Sequence, residues 1–165
     1  QKIMAMHTWF ECKIRYEKVV ENGMQKKVTE PYLVDALSFT EAEARIIEEM
    51  TPFISGEFTV SDIKRAGYSE IFPSDAECDD RWFKCKLSFI TLDDKSGAEK
   101  KTSTYVLVQA SDLERAKKNL DAGMKGTIAD YQVPSVVETA IMDVYPYTAD
   151  KNAKPEFSDE KKKQE

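Results

Sequence analysis

Histidine is nearly missing from this chain: His7 is the single one in 165 residues. A Ser-His-Asp triad or a Cys-His dyad would have to recruit it, and a zinc site would find no second imidazole. Cysteine is scarce too. Cys12, Cys78 and Cys85 match no metal-binding spacing, so free thiols in a reduced, cytoplasmic setting are expected. Glycine occurs 6 times, and neither a Walker phosphate loop nor a G-x-G-x-x-G turn after a strand can be assembled from it. No apolar run approaches the roughly 20 residues of a membrane-spanning helix, and no charged-then-apolar leader precedes Trp9, so no membrane partner is expected. Basic surplus is lacking as well. With 24 Lys and Arg against 30 Asp and Glu, the formal charge is -6, which argues against bulk binding of DNA phosphates. These absences favour a protein that is not an enzyme, and they imply no cofactor and no metal. Acidic pairs such as Asp79-Asp80 and Asp93-Asp94 are a weak signal for a divalent cation in a chain this rich in carboxylates.

What is present is one unit used twice. Trp9-Phe10-Glu11-Cys12-Lys13 returns as Trp82-Phe83-Lys84-Cys85-Lys86. Gly23, Lys26 and Lys27 return as Gly97, Lys100 and Lys101, and Leu33-Val34-Asp35-Ala36 returns as Leu107-Val108-Gln109-Ala110. Ala42 and Met50 recur as Ala116 and Met124, and Phe72-Pro73 as Tyr145-Pro146. The spacing stays near ~73 residues, which marks a duplicated structural unit. A duplication of this kind makes a pseudo-twofold object, so a site should come as a pair or lie on the axis.

Each unit opens on a strand in strict alternation, the mark of a half-buried strand. Phe10, Cys12, Ile14 and Tyr16 point one way and Trp9, Glu11, Lys13 and Arg15 the other. Phe83, Cys85, Leu87 and Phe89 likewise oppose Trp82, Lys84, Lys86 and Ser88. Glu21-Asn22-Gly23 and Asp93 to Gly97 are turns, and the next strands carry Val28, Tyr32, Val34 and Ala36, or Thr102, Val106, Val108 and Ala110, inward. Thr40 to Glu43 and Ser111 to Glu114 read as capping boxes. Helical stripes follow as Ala42, Ile46, Met50 and Phe53, and as Leu113, Ala116, Leu120 and Met124. A last extended segment runs from Phe58 to Ile63, with Gly67-Tyr68 breaking off a second short strand, and from Val136 to Val144 in the second unit. The expectation is an α+β fold: a tandem β-β-α-β unit with pseudo-twofold symmetry, antiparallel sheets and two main helices. The organisation expected is a leader at 1–6, unit one at 7–73, an acidic linker at 74–80, unit two at 81–146, and a disordered charged tail at 147–165.

The outward face of the hairpins is the informative surface. It carries Trp9, Lys13, Lys27, Thr29 and Leu33 in the first unit, and Trp82, Lys86, Lys101, Ser103, Leu107 and Tyr105 in the second. Large aromatics on a nominally polar face need a partner. Either the two units, or two protomers, pack there, or the final strands and tail cover it, or the face binds a ligand with aromatics for stacking and lysines for phosphates.

The stretches Met6 to Lys13, Val28 to Ala36 and Ser38 to Ala44, with Trp82 to Lys86, resemble a family of small uncharacterised proteins of Bacteroidetes and their phages, DUF4494, a domain of unknown function. The resemblance spans Met6 to Pro146. It implies a cytoplasmic bacterial or phage protein and transfers no site residue. Three functions compete: a non-enzymatic binding or adaptor protein acting on a protein partner or a second copy; a phage-type protein sequestering a nucleotide signal or other phosphate-bearing ligand; and an enzyme with an unrecognised Asp, Lys and Tyr site.

Overall fold

The computed structural model describes residues 2–147, and all but the first residue of the tail expected at 147–165 lies outside the described residues. The chain runs β1 (Thr8–Val19), β2 (Gln25–Ala36), α1 (Phe39–Met50), β3 (Phe58–Arg65), β4 (Tyr68–Phe72), β5 (Arg81–Leu92), β6 (Glu99–Ala110), α2 (Leu113–Gly123), β7 (Tyr131–Glu138) and β8 (Val144–Tyr145). The α+β fold and its repeat are as expected. Cys12 and Cys85 are both fully buried. Both occupy the fifth position of the strand that opens their unit, facing Tyr32 and Ile63 in one and Val106 and Val136 in the other. Gly23 and Gly97 take the positive φ, 80° and 69°, that closes each hairpin.

The sheets correct the expectation of purely antiparallel pairing. Their strand orders are β3-β1-β2-β8 and β4-β6-β5-β7. Each unit therefore sends its last strand into the other unit's sheet. Ile71 and Phe72 pair with Leu107 and Val108, and at the equivalent place Val144 and Tyr145 pair with Leu33 and Val34, both in parallel. Only Ala66 and Gly67 separate β3 from β4. That is too short for β4 to cross over its own sheet and lie parallel beside β2, since such connections take a dozen or more residues. Stepping across to the opposite sheet buries both faces of the strand: Ile71 goes between the sheets and Phe72 onto the second helix layer.

Two boundaries also differ. The second unit's late strand is β7, ending at Glu138, followed by a separate β8, not one segment from Val136 to Val144. Pro134 is tolerated in β7 because that strand is a sheet edge, where a missing N–H breaks no ladder. The helix caps are Ser38, whose hydroxyl accepts from the Glu41 amide at 3.2 Å, and Asp112, which accepts from the Arg115 amide at 2.8 Å. They replace Thr40 and Ser111 and are repeat-equivalent to each other. Phe53 and Leu113 drop out of the apolar stripes; Phe53 lies past the helix end and is 76% exposed.

Each helix covers the inner face of its own sheet. Phe10, Cys12, Ile14, Val34, Ile46 and Met50 form one core, and Cys85, Leu87, Val106, Val108 and Leu120 the heart of the other. The exchanged strand is gripped by α2. A Cβ added at Gly123 would come within 2.5 Å of the Phe72 ring, so only glycine allows that approach. Residues Ile3, Met6 and His7 are hydrogen-bonded into this fabric. Ile3 exchanges backbone hydrogen bonds with Ile71 at 2.8 and 2.9 Å. The buried Asp35 carboxylate accepts the amides of Met6 and His7 at 2.6 and 3.0 Å. Tyr147 also belongs to the packed chain, edge-on to His7 with the Arg45 guanidinium over its ring.

Candidate functional site

The outward faces of the two hairpins meet each other. Trp9, Leu33, Ile71, Trp82, Leu107 and Ile141 form a buried cluster between the sheets. A buried tryptophan removes about 150–250 Å² from water, worth on the order of 4–6 kcal/mol at most. The Trp9 indole N–H has no hydrogen-bond partner among the described residues, a cost of about 1–3 kcal/mol, so burial wins. Trp9, Leu33 and Trp82 are thus enclosed between the chain's own two units and offer no stacking surface to a ligand. Lys13 and Lys86 are half-buried, whereas Lys27 and Lys101 are exposed toward the hairpin ends. Lys27 edges a broad, open hollow of about 870 Å³ with Arg15, Glu17 and Glu57. Of the residues singled out as the ligand or interface face, Tyr105 alone lines the cleft that the two units form.

That cleft, about 250 Å³, opens beside the tryptophan cluster and is lined by Glu11, Lys64, Arg65, Ala66, Gly67, Tyr68, Lys84 and Tyr105. Glu11 and Lys84 each lie two residues past their unit's tryptophan, so they are repeat-equivalent. Both line one cavity, which places it on the pseudo-dyad. Its two halves have diverged: Tyr68 of the first unit matches Ile141 of the second, Tyr105 of the second matches Pro31 of the first, and Ile141 is buried in the cluster.

Alternation and pairing place each group. Glu11 faces Lys64 across the β1–β3 ladder, and their charged ends are 3.4 Å apart. The Lys84 ammonium sits 4.5 Å from the Tyr105 ring centre and 6.0 Å from that of Tyr68, held by cation–π attraction. Among the described residues Lys84 has no carboxylate within ion-pair distance, and neither phenol hydroxyl donates to a protein acceptor. Arg65 turns its guanidinium to the helix side, over the Phe39 ring at 5.5 Å. Burial, with the Glu11 charge second and Cys85 third, pushes the Tyr68 phenol up to about 12, so it stays a protonated donor at neutral pH. The site therefore presents two ammonium groups and two phenols against one carboxylate that is already paired.

The acidic linker holds no such site. Asp79 is buried, and its carboxylate takes two hydrogen bonds from Arg115, at 2.7 and 2.8 Å, with Ser74 and Asn119 also donating. It is consumed by structure, and no acidic cluster that could hold a metal occurs among the described residues. Burial also raises the Cys12 and Cys85 thiols, to about 12 and about 11, which keeps them unreactive. Lys84 and Glu11 could have been found from alternation. Lys64 and Tyr68 could not, because they reach the cleft through β3 pairing and strand exchange.

No curated protein and no solved structure matches the chain. The family DUF4494, a domain of unknown function, matches residues 8–147, a span that takes in both units, the exchanged strands and every residue lining the cleft. The chain belongs to this family.

Proposed function

We propose that the protein is a non-enzymatic binding module that holds a small anionic ligand in the cleft between its two units. The observation that carries this reading is the convergence of Lys84, Tyr68 and Tyr105 on one cavity at the pseudo-dyad of an otherwise acidic chain. The tyrosines come from the exchanged strand and the second hairpin, so the site exists only in the assembled molecule. Its groups suit holding charge rather than moving protons, since the Tyr68 phenol titrates far above neutrality. A larger hollow of about 580 Å³ between α2 and β7 is walled mainly by Leu113, Leu120, Val133 and Val136, and its one lysine, Lys117, shares it with the Asp121 carboxylate.

The test is a screen of the full chain by backbone-amide NMR against small anions, cations and neutral molecules. Anions should shift the amides of Gly67, Tyr68, Lys84 and Tyr105, while cations and neutral molecules should leave them in place. Failure of every anion to move these amides would overturn the reading.

A further inference from the structure

We infer that the ligand is a small free carboxylic acid, bound as a monoanion of about ten non-hydrogen atoms with one ring. The inference rests on the cleft being the binding site. Three observations lead to it. The first is size. A cavity of about 250 Å³ displaces roughly eight waters at ~30 Å³ each. That admits one ring with an acidic group, whereas a nucleotide has more than twice as many atoms. A nucleotide, one of the alternatives drawn from the Trp and Lys face, would extend well beyond this cleft.

The second is charge. Lys64 is engaged by Glu11 at 3.4 Å, leaving Lys84 as the cation without a carboxylate partner. A dianionic phosphate would meet the Glu11 carboxylate at close range in a cleft whose surplus is a single positive charge, and like charges there repel. A carboxylate matches the surplus. The third is donor count. One ammonium and two phenols supply directional donors for the lone pairs of two carboxylate oxygens. The Tyr68 and Tyr105 rings and the Lys84 stem then form the apolar walls that a ring can pack against. Lys84 is already placed, because the Tyr105 ring holds its ammonium at 4.5 Å.

Benzoate, phenyl phosphate, benzyl alcohol, adenosine monophosphate and the peptide acetyl-Gly-Phe serve as probes, titrated into the full chain and followed by NMR at the cleft amides. Benzoate should bind most tightly and benzyl alcohol should leave the amides unmoved. Lys84→Ala should weaken benzoate about tenfold or more, since a charge-assisted bond is lost. Tyr68→Phe and Tyr105→Phe should each weaken it about fivefold. All three variants should melt as the parent does, because Lys84 is exposed and each tyrosine change removes only a hydroxyl and keeps the ring. Tighter binding of phenyl phosphate or of the nucleotide would overturn the carboxylate assignment while leaving the cleft as the site. Tighter binding of the peptide would transfer the site to a chain-terminal carboxylate and overturn the free-acid assignment. Undiminished benzoate binding in both Lys84→Ala and Lys84→Gln would overturn the donor assignment. Silence from all the anions would remove both the inference and the function it rests on.

Discussion

Asp79 shows how one side chain can decide the placement of a segment. The linker reads as a solvated acidic run, and most of it is exposed, yet this carboxylate is drawn inward because Arg115, Asn119 and Ser74 together satisfy its oxygens. Arg115 holds the carboxyl well below the usual carboxylate range. A depressed folded-state value means stability that is fully present above about pH 4, where the unfolded group is ionised, and lost as pH falls through the folded value. Arg115→Ala leaves a buried, unpaired charge and should cost about 3 kcal/mol at neutral pH. Asp79→Asn, which leaves an arginine that can reach water, should cost less. Thermal melts from pH 7 down to 2 check both. The parent should keep this contribution to a lower pH than Arg115→Ala, and equal acid profiles would show that the pair does not couple to folding.

Among the elements, β4, like β8, takes a position that local rules do not give. Its residues Tyr68–Phe72 are apolar enough for a strand, but which sheet receives them is settled by α2 and β6 of the other unit. Gly123 tests that docking. Near the end of a helix, Gly→Ala ordinarily stabilises by up to about 1 kcal/mol. Here the new methyl would meet the Phe72 ring at 2.5 Å, and overpacking of this kind costs about 1–3 kcal/mol. Denaturant unfolding of Gly123→Ala should therefore show a net loss. A gain would mean that Phe72 can move aside and that the exchanged strand is loosely held. Cap positions carry a related point: Ser38 and Asp112 were within two residues of the sites expected, because capping depends on backbone geometry at the helix start and several nearby Ser, Thr and Asp side chains could supply it.

For the whole molecule, the exchange makes the two units mutually dependent. Each sheet holds a strand from the other unit, and the Trp9 and Trp82 cluster joins their faces. Neither unit can open without removing an edge strand and the tryptophan cover from its neighbour. Unfolding should accordingly be a single transition, with calorimetric and van't Hoff enthalpies agreeing, and with tryptophan fluorescence and far-ultraviolet circular dichroism melting together. Two separated transitions would show that the units are stable independently and that the exchanged strands add little.

The sequence by itself determined the duplication, the first hairpin of each unit, both helices, and the inward sets from Phe10 to Tyr16 and from Phe83 to Phe89. These follow from period and local chemistry, which act over a few residues. It also showed that Trp9 and Trp82 needed cover, since large rings on a polar face cannot be left in water without cost. Alternation names a face but not what lies against it. Only the tertiary structure decided that the two faces cover each other, that β4 and β8 change sheets, and that Glu11, Lys64, Tyr68, Lys84 and Tyr105 converge at the axis. Those choices depend on the fit of surfaces far apart in the chain, where the best burial of apolar area, and not any local preference, selects the partner.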